Sequence, residues 1–515
     1  MSFLYTLFQS SSGTGYLYDA VTNRIFQVSD LFYKYHTVLF GALKDLNLLK
    51  PYKDSTDLLK EFLKLSNSFK SKQILCNNIS ADYPFKINEM DNMLNTSLQH
   101  LTLCITEACN LRCSYCKYSG HYKHSRKHSN RTMPYRTALK AINFFHSHSV
   151  ASKKITISFY GGEPLIEFKK IKSLIHKCKK IFSDKEQHYQ ITSNGTLLDN
   201  EFIEWFTSVS DVYLNITLNG HEFYHDLYRH TPNGHGSHRN ILSSISALIE
   251  KDSDAYQHRV NFLCDYAKLS DIFGIIDFYE KETLLQGKVP ITLSGVHNSD
   301  HDEFISRLID ENAQDECAKC LNDENLIGKT FIGYTSEKLY EQLVEMYING
   351  GSSNQPILKL FFDESLHEIH RRQTFPSGGN ASFIGTCIPL VSRLFVNIDG
   401  KFNLCEKAGD FCDFGNVNDG CNTEKINQLL LDYKNVNEAK CNNCWAIRLC
   451  TACYTNTFTS DTIDIERRDM RCDEIKSNLQ LNLALYCSMM EKSPSGLDFL
   501  DEYTFDMHLS RNEQI

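Results

Sequence analysis

The sequence lacks any apolar run of the roughly 18–20 residues that a helix needs to cross a bilayer. Met1 to Ser12 also lacks the basic start and the long apolar core of a signal peptide. The formal charge is −9, so no excess of basic residues favours nucleic acid or an anionic membrane. We therefore expect a cytoplasmic protein that has neither a nucleic-acid nor a membrane partner.

No internal repeat and no long low-complexity tract interrupts the 515 residues. Hydrophobic residues make up 42% and charged residues 23%, which is ordinary for a globular protein of more than one domain. The 19 cysteines are the exception. In a cytoplasmic chain they indicate metal or cluster binding rather than disulfides.

Three of these cysteines, Cys109, Cys113 and Cys116, lie in one short loop that follows the apolar run Leu101–Ile105. A structural zinc usually takes four nitrogen or sulfur ligands, and a four-iron cluster usually takes four thiolates. No fourth cysteine follows closely behind. Three thiolates on a four-iron cluster leave one iron open to a ligand that is not protein, which indicates chemistry rather than a structural metal.

Between about residues 97 and 300, strand-like and helix-like patterns alternate, which predicts a parallel sheet. The candidate strands are His100–Thr106, Ile155–Tyr160, Tyr189–Ser193, Val212–Leu218, Arg259–Cys264 and Pro290–Leu293. The candidate helices are Pro134–His148, Ile166–Phe182, Asn200–Thr207, Arg239–Lys251 and Leu269–Glu282. Six strands suit an incomplete (β/α) barrel, whose working residues sit at the carboxyl ends of the strands.

The spacing C-x3-C-x2-C resembles the signature of the radical S-adenosylmethionine (SAM) enzymes. The resemblance implies an α/β fold with a partial (β/α)6 barrel, and a [4Fe-4S] cluster whose open iron binds SAM. In that family the reduced cluster cleaves SAM, and the resulting 5′-deoxyadenosyl radical removes a hydrogen atom from the substrate. Behind the second strand, Gly161-Gly162-Glu163-Pro164 resembles the family's motif for the SAM amino group.

Further residues match the family's SAM site. Ser193 and Asn194 follow the third strand, where the family has a polar patch near the ribose and methionine of SAM, and Thr217 ends the fourth strand. The resemblance implies that Tyr115 lies near the adenine of SAM and that Arg239 pairs with the SAM carboxylate. Arg239 could equally make a structural ion pair. The chain departs from the family at Asn219, where relatives carry an aspartate.

A second cysteine group lies between residues 381 and 475, at Cys387, Cys405, Cys441, Cys444, Cys450, Cys453 and Cys472. The pattern alone also fits a zinc ribbon. It resembles the SPASM extension, which implies two auxiliary [4Fe-4S] clusters, three in all. Cys387, Cys405 and Cys453 would hold the first auxiliary cluster. The remaining four of the group would hold the second.

The fourth ligand of the first auxiliary cluster stays open, with Cys412, Cys421 or the pair Cys317 and Cys320 as alternatives. The simpler interpretation of Cys317 and Cys320 is that they are two free thiols. Glu406 directly follows Cys405. In relatives an acid at this place takes a proton from the substrate, so Glu406 is the candidate catalytic residue.

Residues 1 to about 85 read as a separate small unit. Tyr16–Asp19 and Arg24–Val28 predict a hairpin, and Leu31–Leu46 and Thr56–Ser68 have helical periodicity. A strand edge backed by helices can add an extended peptide as a further strand. The unit resembles the winged-helix module with which peptide-modifying enzymes recognise a leader peptide. The alternative is a plain cap over the barrel.

The layout predicts five parts: 1–85 for leader-peptide recognition, 97–300 for the barrel, 301–380 as a bridge, 381–475 for the auxiliary clusters, and 476–515 as a C-terminal helix and tail. It resembles the sactipeptide maturases, particularly the ruminococcin C type. These enzymes join a cysteine sulfur to an alpha carbon in a ribosomally made precursor peptide. The implied partners are that peptide and an electron donor such as flavodoxin or ferredoxin. The alternatives are carbon–carbon crosslinking, sulfatase activation, or a non-catalytic iron–sulfur carrier.

Overall fold

The computed structural model describes residues 4–42, 45–72, 79–83, 85–86, 90–122, 126–296, 307–308, 336–350, 355–374, 380–383, 387–406, 408, 414–454, 457–459, 462–493, 495 and 497–500. Cys317, Cys320 and Cys412, which the sequence offers as further ligands, lie outside these residues. So does most of the predicted bridge, 301–380, and the last part of the predicted tail.

The N-terminal unit is an antiparallel sheet of three strands in the order β1 (Tyr5–Gln9), β2 (Gly15–Asp19) and β3 (Arg24–Gln27). The predicted hairpin between β2 and β3 is confirmed, whereas β1 was not predicted. The helices α1 (Asp30–Ala42) and α2 (Thr56–Lys72) follow, with a 3-10 helix at Leu46–Tyr52 between them. The unit buries its own apolar cluster of Tyr5, Leu17, Phe32, Leu39, Ala42, Leu49 and Leu58.

A larger sheet forms the centre of the molecule. Strand β4 (Ala81–Asp82) and helix α3 (Asp91–Thr96) lead into it. Its six parallel strands confirm the predicted set and are β5 (His100–Thr106), β6 (Lys154–Gly161), β7 (Glu186–Ser193), β8 (Val212–Thr217), β9 (Val260–Tyr266) and β10 (Pro290–Gly295). Helices return the chain between them because a parallel pair needs a crossover connection. They are α4 (Tyr135–His148), α5 (Phe168–Ile181), α6 (Asn200–Ser208), α7 (Glu222–Tyr228), α8 (His238–Lys251), α9 (Ser253–Arg259) and α10 (Leu269–Lys281).

The sheet does not stop at the first strand. A later segment adds β12 (Arg393–Val396) in parallel beside β5, and β13 (Phe402–Asn403) antiparallel beside β12. Upstream of this pair, β11 (Ala381–Ser382) pairs in parallel with β4. The segment that carries the distal cysteines is therefore continuous with the central sheet, and Cys405 follows its last strand directly.

The remaining elements surround this extension. They are α11 (Ser336–Gly350), α12 (Pro356–His370), β14 (Gly415–Asn416), β15 (Gly420–Cys421), α13 (Thr423–Cys441), β16 (Phe458–Thr459), β17 (Thr462–Ile463) and α14 (Ile465–Lys492), with 3-10 helices at Pro164–Glu167, Thr283–Leu285 and Asp498–Leu500. Helix α14 begins well before residue 476, where the predicted C-terminal part starts, because Asp464 caps it by accepting a hydrogen bond from the backbone N–H of Arg467 at 2.9 Å.

The N-terminal sheet docks on α14 and on the distal cysteine segment. The side chain of Gln480 donates to the carbonyl of Leu7 at 3.1 Å, and the hydroxyl of Tyr16 donates to Glu491 at 2.8 Å. Arg448 donates to the carbonyl of Ala20 at 2.6 Å. These contacts hold β1 and the β2–β3 turn against α14 and the distal cysteine segment. Strand β3 lies at the opposite edge of the small sheet.

None of the helices that the structure describes combines the length and the apolar character needed to span a bilayer.

Candidate functional site

The cysteine loop begins at the carboxyl end of β5 and is tied down by backbone hydrogen bonds. Arg112 donates to the carbonyl of His230 at 2.7 Å, and Ser114 donates to the carbonyl of Tyr228 at 2.8 Å. Leu111, between the first two cysteines, is buried. The loop is therefore held between β5 and the end of α7, with its cysteines at the carboxyl edge of the sheet.

The three thiols of this loop lie close enough to affect one another. Burial raises the pKa of Cys109 to about 11 and that of Cys116 to about 12, and the charge of Cys113 adds to both shifts. Burial also raises the pKa of Cys113. A cysteine binds a cluster as a thiolate, whereas burial favours the neutral thiol. Positive charge therefore has to offset the cost of burying the thiolates when metal binds. The three thiols come from one loop and lie close enough to interact. They therefore fit a four-iron cluster in which the protein ligates three of the irons.

Gly161 and Gly162 pack the end of β6 against the root of the cysteine loop. A Cβ on Gly161 would lie 2.2 Å from the carbonyl oxygen of Thr106, and one on Gly162 would lie 2.2 Å from that of Ala108. Gly161 also has a φ of 147°, a region that disfavours other residues. In this structure the two glycines therefore permit contact with the loop's own backbone, in addition to any approach of a ligand.

Glu163 is fully buried and connects two loops. Its carboxylate accepts hydrogen bonds from the hydroxyl of Ser193 at 2.9 Å, from the backbone N–H of Asn194 at 2.7 Å and from that of Leu165 at 3.0 Å. The last of these caps the 3-10 helix that begins at Pro164. Burial raises the pKa of Glu163, while these three donors favour its charged form. Its carboxylate thus aligns the ends of β6 and β7.

Asn194 extends this connection to the cysteine loop. Its side-chain N–H donates to the amide oxygen of Asn110 at 2.8 Å and lies 3.8 Å from the sulfur of Cys109. Asn110 in turn donates to the hydroxyl of Thr196 at 2.7 Å. The predicted SAM residues on β6 and β7 therefore meet the cysteine loop at one edge of the sheet.

Tyr115 and Asn219 join the fourth strand to the same loop. Asn219 donates from its side chain to the hydroxyl of Tyr115 at 2.6 Å, and it accepts from the backbone N–H of Asp265 at 3.0 Å. Thr217, at the end of β8, is buried. The amide at 219 thus makes both a donor and an acceptor contact, a combination that an ionised aspartate does not offer.

The two arginines near the fourth strand differ in their surroundings. The side chain of Arg239 is 83% exposed, and its Nε pairs with Glu222 at 2.7 Å. Arg229 is only 5% exposed and donates from Nη1 to the hydroxyl of Tyr115 at 3.1 Å. In this structure Arg229 lies beside the cysteine loop and Arg239 lies at the surface. The sequence shows both residues but gives no signal that separates them.

Glu406 approaches the cysteine loop through the extension of the sheet. Its charge and that of Cys116 add to the rise that burial causes in the pKa of Tyr160, which ends β6 just before the two glycines. Arg126 holds this region together, since its Nη2 donates to the carbonyls of Glu406 at 2.9 Å and Ala408 at 3.1 Å. The backbone of Glu406 therefore lies against the segment that follows the first cysteine loop.

Four distal thiols surround one pocket between α13 and α14. Cys441, Cys444, Cys450 and Cys472 line it together with Tyr433, Arg468 and Lys476. Burial raises the pKa of Cys441 and of Cys450 to about 12, and neighbouring thiols of the same four add to both shifts. These are the four cysteines predicted to hold the second auxiliary cluster. In the described part of the chain, no group of three or more His, Cys, Asp or Glu side chains is arranged to hold a single metal ion.

The three cysteines predicted to hold the first auxiliary cluster differ in how exposed they are. Cys387 is exposed, while Cys405 and Cys453 are half-buried. Cys421, one alternative for the fourth ligand, lies in β15, and burial alone raises its pKa to about 11. Among the described residues burial is thus the cause of the shift at Cys421, whereas neighbouring thiols add to the shifts at Cys441 and Cys450.

The parallel sheet has three cysteines of one loop at its carboxyl edge. Residues 103–262, which include these cysteines, match the family model of the radical SAM superfamily. The α/β fold of this part is typical of a radical SAM core, and the superfamily implies SAM and one [4Fe-4S] cluster.

Three curated proteins are similar to parts of the chain. An uncharacterized protein of Methanocaldococcus jannaschii is 30% identical over 29% of this chain and 49% of its own length. A cysteine-type anaerobic sulfatase-maturating enzyme of Clostridium novyi is 29% identical over 30% and 40%. The radical SAM cyclopropyl synthase TigE of Paramaledivibacter caminithermalis is 23% identical over 45% and 56%. The chain thus spans about half the length of the curated relatives it matches.

Among solved structures, anSMEcpe with bound AdoMet superposes with a TM-score of 0.50 at 15% sequence identity. The likeness covers 78% of this chain and 98% of that one. At this identity the similarity concerns the fold.

Proposed function

We propose that this protein is a radical SAM maturase that joins cysteine sulfur to alpha carbon within a ribosomally made precursor peptide. The observation that carries the proposal is the continuous sheet. In this sheet Cys405 and Glu406, from the distal cysteine segment, lie near the loop that would hold the first cluster. A peptide thiol and the radical-generating site would then share one cavity.

The first cluster would be held by Cys109, Cys113 and Cys116, with SAM at its open iron. When bound, this group supplies the 5′-deoxyadenosyl radical that removes hydrogen from an unactivated carbon. The chain itself supplies alignment: Glu163 fixes Ser193 and Asn194, and Asn219 fixes Tyr115. These buried contacts would hold the SAM pocket in a single geometry.

The auxiliary clusters would divide the seven distal cysteines as the sequence predicts. The pocket lined by Cys441, Cys444, Cys450 and Cys472 supports a fully ligated second cluster. Cys387, Cys405 and Cys453 would hold the first, leaving an iron for a substrate thiolate, since soft sulfur suits iron–sulfur clusters. These clusters would accept the electron that remains once the carbon–sulfur bond has formed.

Glu406 would take the proton of the substrate thiol. It follows Cys405 directly, and its charge reaches Tyr160 at the end of β6. Deprotonation makes sulfur the better ligand and nucleophile. The residue would therefore act at the point where the peptide meets the auxiliary cluster.

The leader of the precursor would bind at β3. Within the described residues, β3 pairs only with β2, and Arg24 and Gln27 on it are exposed. An extended peptide can add to such an edge through main-chain hydrogen bonds. The fastening of β1 to α14 holds this edge at a fixed distance from the distal cysteines. An external donor such as flavodoxin or ferredoxin would reduce the first cluster.

Oxidation of a single cysteine or serine in a protein substrate is the second candidate. The identity of 29% to a sulfatase-maturating enzyme and the fold shared with anSMEcpe favour it. One structure of anSMEcpe contains AdoMet and a bound peptide, Kp18Cys, so a protein of this fold binds a peptide. A docked N-terminal unit with an open strand edge favours the crosslinking function instead.

Mass spectrometry of a co-expressed cysteine-containing precursor peptide separates the candidates. A thioether removes one hydrogen from sulfur and one from carbon, so each linkage lowers the mass by two hydrogens and retains the sulfur. Tandem spectra would locate the bond at an alpha carbon. Loss of the sulfur with formation of an aldehyde would indicate sulfatase-type oxidation, and a linkage between two carbons would indicate carbon–carbon crosslinking. An unchanged peptide together with an absence of SAM cleavage would contradict the enzyme function altogether.

A further inference from the structure

Two backbone segments that are far apart in the sequence pair beside the first cysteine loop. Arg112 and Ser114 donate their N–H groups to the carbonyls of His230 and Tyr228, at 2.7 and 2.8 Å. Cys113 and Arg229 are the central residues of these two segments. The backbone pairing therefore sets them opposite each other.

The Arg229 side chain is enclosed at this point. It is 5% exposed, its Nη1 donates to the hydroxyl of Tyr115, and its Nε has no hydrogen-bond partner among the residues that the structure describes. Burying a guanidinium is costly unless negative charge faces it. Arginine does not lose its proton in proteins, so the positive charge is permanent.

The negative charge that faces Arg229 would come from the cluster and its thiolate ligands. Arg229 lies opposite Cys113 in the backbone pairing, and its side chain donates to Tyr115 in the same loop. Asp265, near the carboxyl end of β9, donates its backbone N–H to Asn219 at 3.0 Å, and Asn219 donates to the hydroxyl of Tyr115 at 2.6 Å. Arg229 and Asp265 are thus both connected to the cysteine loop through Tyr115.

We propose that Arg229 is a positioning residue for the first cluster, which orders the cysteine loop through Tyr115 and raises the cluster's reduction potential through its buried positive charge. This inference rests on the proposed assignment of that cluster to Cys109, Cys113 and Cys116. One-electron reduction by an external donor makes the cluster more negative, and a nearby fixed cation stabilises the reduced form more than the oxidised form. Asp265 lowers the potential by the same reasoning.

An EPR-monitored redox titration of the full-length, reconstituted protein tests the proposal. The signal of the first cluster is identified as the one that Cys113→Ala removes. The variants are Arg229→Met, which keeps length and removes charge, Arg229→Lys, which keeps the charge, and Asp265→Asn. Arg259→Met is the matched control, because Arg259 precedes the other end of β9 and donates to the carbonyl of Phe206.

For Arg229→Met we expect the ratio of reduced to oxidised first cluster, measured at the wild-type midpoint, to fall about tenfold, a shift of about 59 mV for a one-electron couple. Arg229→Lys should recover most of this loss, and Asp265→Asn should shift the midpoint to a higher potential. Arg259→Met should leave it unchanged. A midpoint in Arg229→Met equal to that of Arg259→Met would overturn the proposal.

If Arg229→Met does not retain the first cluster, the midpoint potential of Asp265→Asn still tests the electrostatic role. A higher midpoint in that variant supports the electrostatic role, and an unchanged midpoint overturns it. The proposed function fails in a different way: wild-type protein would show no first-cluster signal, or Cys113→Ala would keep it. A midpoint unchanged in Arg229→Met, with loss of the spectral change on adding SAM, would make Arg229 a SAM ligand and overturn its role as a counterion.

Discussion

Arg126 donates a hydrogen bond of 2.9 Å from its guanidinium to the backbone carbonyl of Glu406, 280 residues later in the chain. The same guanidinium lies over the ring of Phe395 at 4.5 Å and near that of Tyr118 at 5.2 Å. It therefore joins the segment after the first cysteine loop to β12 and to the acid beside Cys405. The segment that follows the first cysteine loop and the distal cysteine segment are fixed to each other at this residue.

Arg126→Met should uncouple SAM cleavage from product formation. The loss of charge-assisted hydrogen bonds to the Glu406 segment should lower product formed per SAM cleaved about tenfold, while 5′-deoxyadenosine formation persists. The measurement is the ratio of crosslinked peptide to 5′-deoxyadenosine. Lys127→Met is the matched control, since Lys127 adjoins Arg126 and is exposed, and its ratio should match that of the wild type. Equal ratios in both variants would show that Arg126 does not position the acid.

Gly162→Ala should disrupt the first cluster without a direct change to any ligand. The new methyl group would lie 2.2 Å from the carbonyl oxygen of Ala108, just before Cys109, so the loop must move at a cost of about 1–3 kcal/mol. We expect a reduced content of the first cluster by EPR. Gly120→Ala is the control because open space surrounds Gly120, and only its positive φ adds strain. Normal cluster content in Gly162→Ala would mean that the close backbone packing is dispensable.

Gln27→Pro should weaken leader-peptide binding. The N–H of Val28 donates to Gly15 on β2, so, by strand alternation, the N–H of Gln27 points to the open edge of β3. Proline at an edge strand's outward position removes that donor and leaves the sheet intact. One lost hydrogen bond of about 1 kcal/mol corresponds to an affinity roughly fivefold lower. Gln27→Ala, which keeps the N–H, should bind like the wild type.

Fluorescence anisotropy with a labelled leader peptide measures both affinities. Equal affinity for the two variants would place the leader elsewhere. Deleting residues 1–85 is a poorer test, because Arg448 in the distal cysteine segment donates to the carbonyl of Ala20 in that unit. The deletion would remove an acceptor from the auxiliary region as well as the strand edge.

Metal analysis of the reconstituted protein tests the distal assignment. Three four-iron clusters predict about twelve irons per chain, and Cys444→Ala should lower this to about eight because one full cluster loses a ligand. Cys178→Ala, a buried thiol in α5, should retain the wild-type value. Zinc in place of iron, with about four irons per chain, would instead support the zinc-ribbon alternative for the distal cysteines.

The sequence predicts the order of the central strands because their apolar runs are local features. The strand at His100–Thr106 has the predicted bounds, and the other five differ only at their ends. The cysteine loop is likewise a local motif. The short strands Arg393–Val396 and Phe402–Asn403 were not predicted, because strands of this length acquire their structure by pairing, the first with β5 and the second with the first.

Long-range contacts also explain why sequence reasoning could not separate Arg229 from Arg239. Its position depends on pairing between the backbone around residue 113 and that around residue 229, which no spacing along the chain reveals. Arg239 has the expected place in the sequence, yet its side chain pairs with Glu222 at the surface. Glu163 illustrates the same limit, since its partners Ser193 and Asn194 belong to the next strand.

Anaerobic assay of 5′-deoxyadenosine formation by Cys113→Ala tests the central claim most directly, with Cys178→Ala as the buried-thiol control. The account predicts that reduced wild-type protein and Cys178→Ala both cleave SAM, and that Cys113→Ala releases no 5′-deoxyadenosine above background. Undiminished cleavage by Cys113→Ala would contradict the assignment of the first loop as the site where SAM is bound and broken.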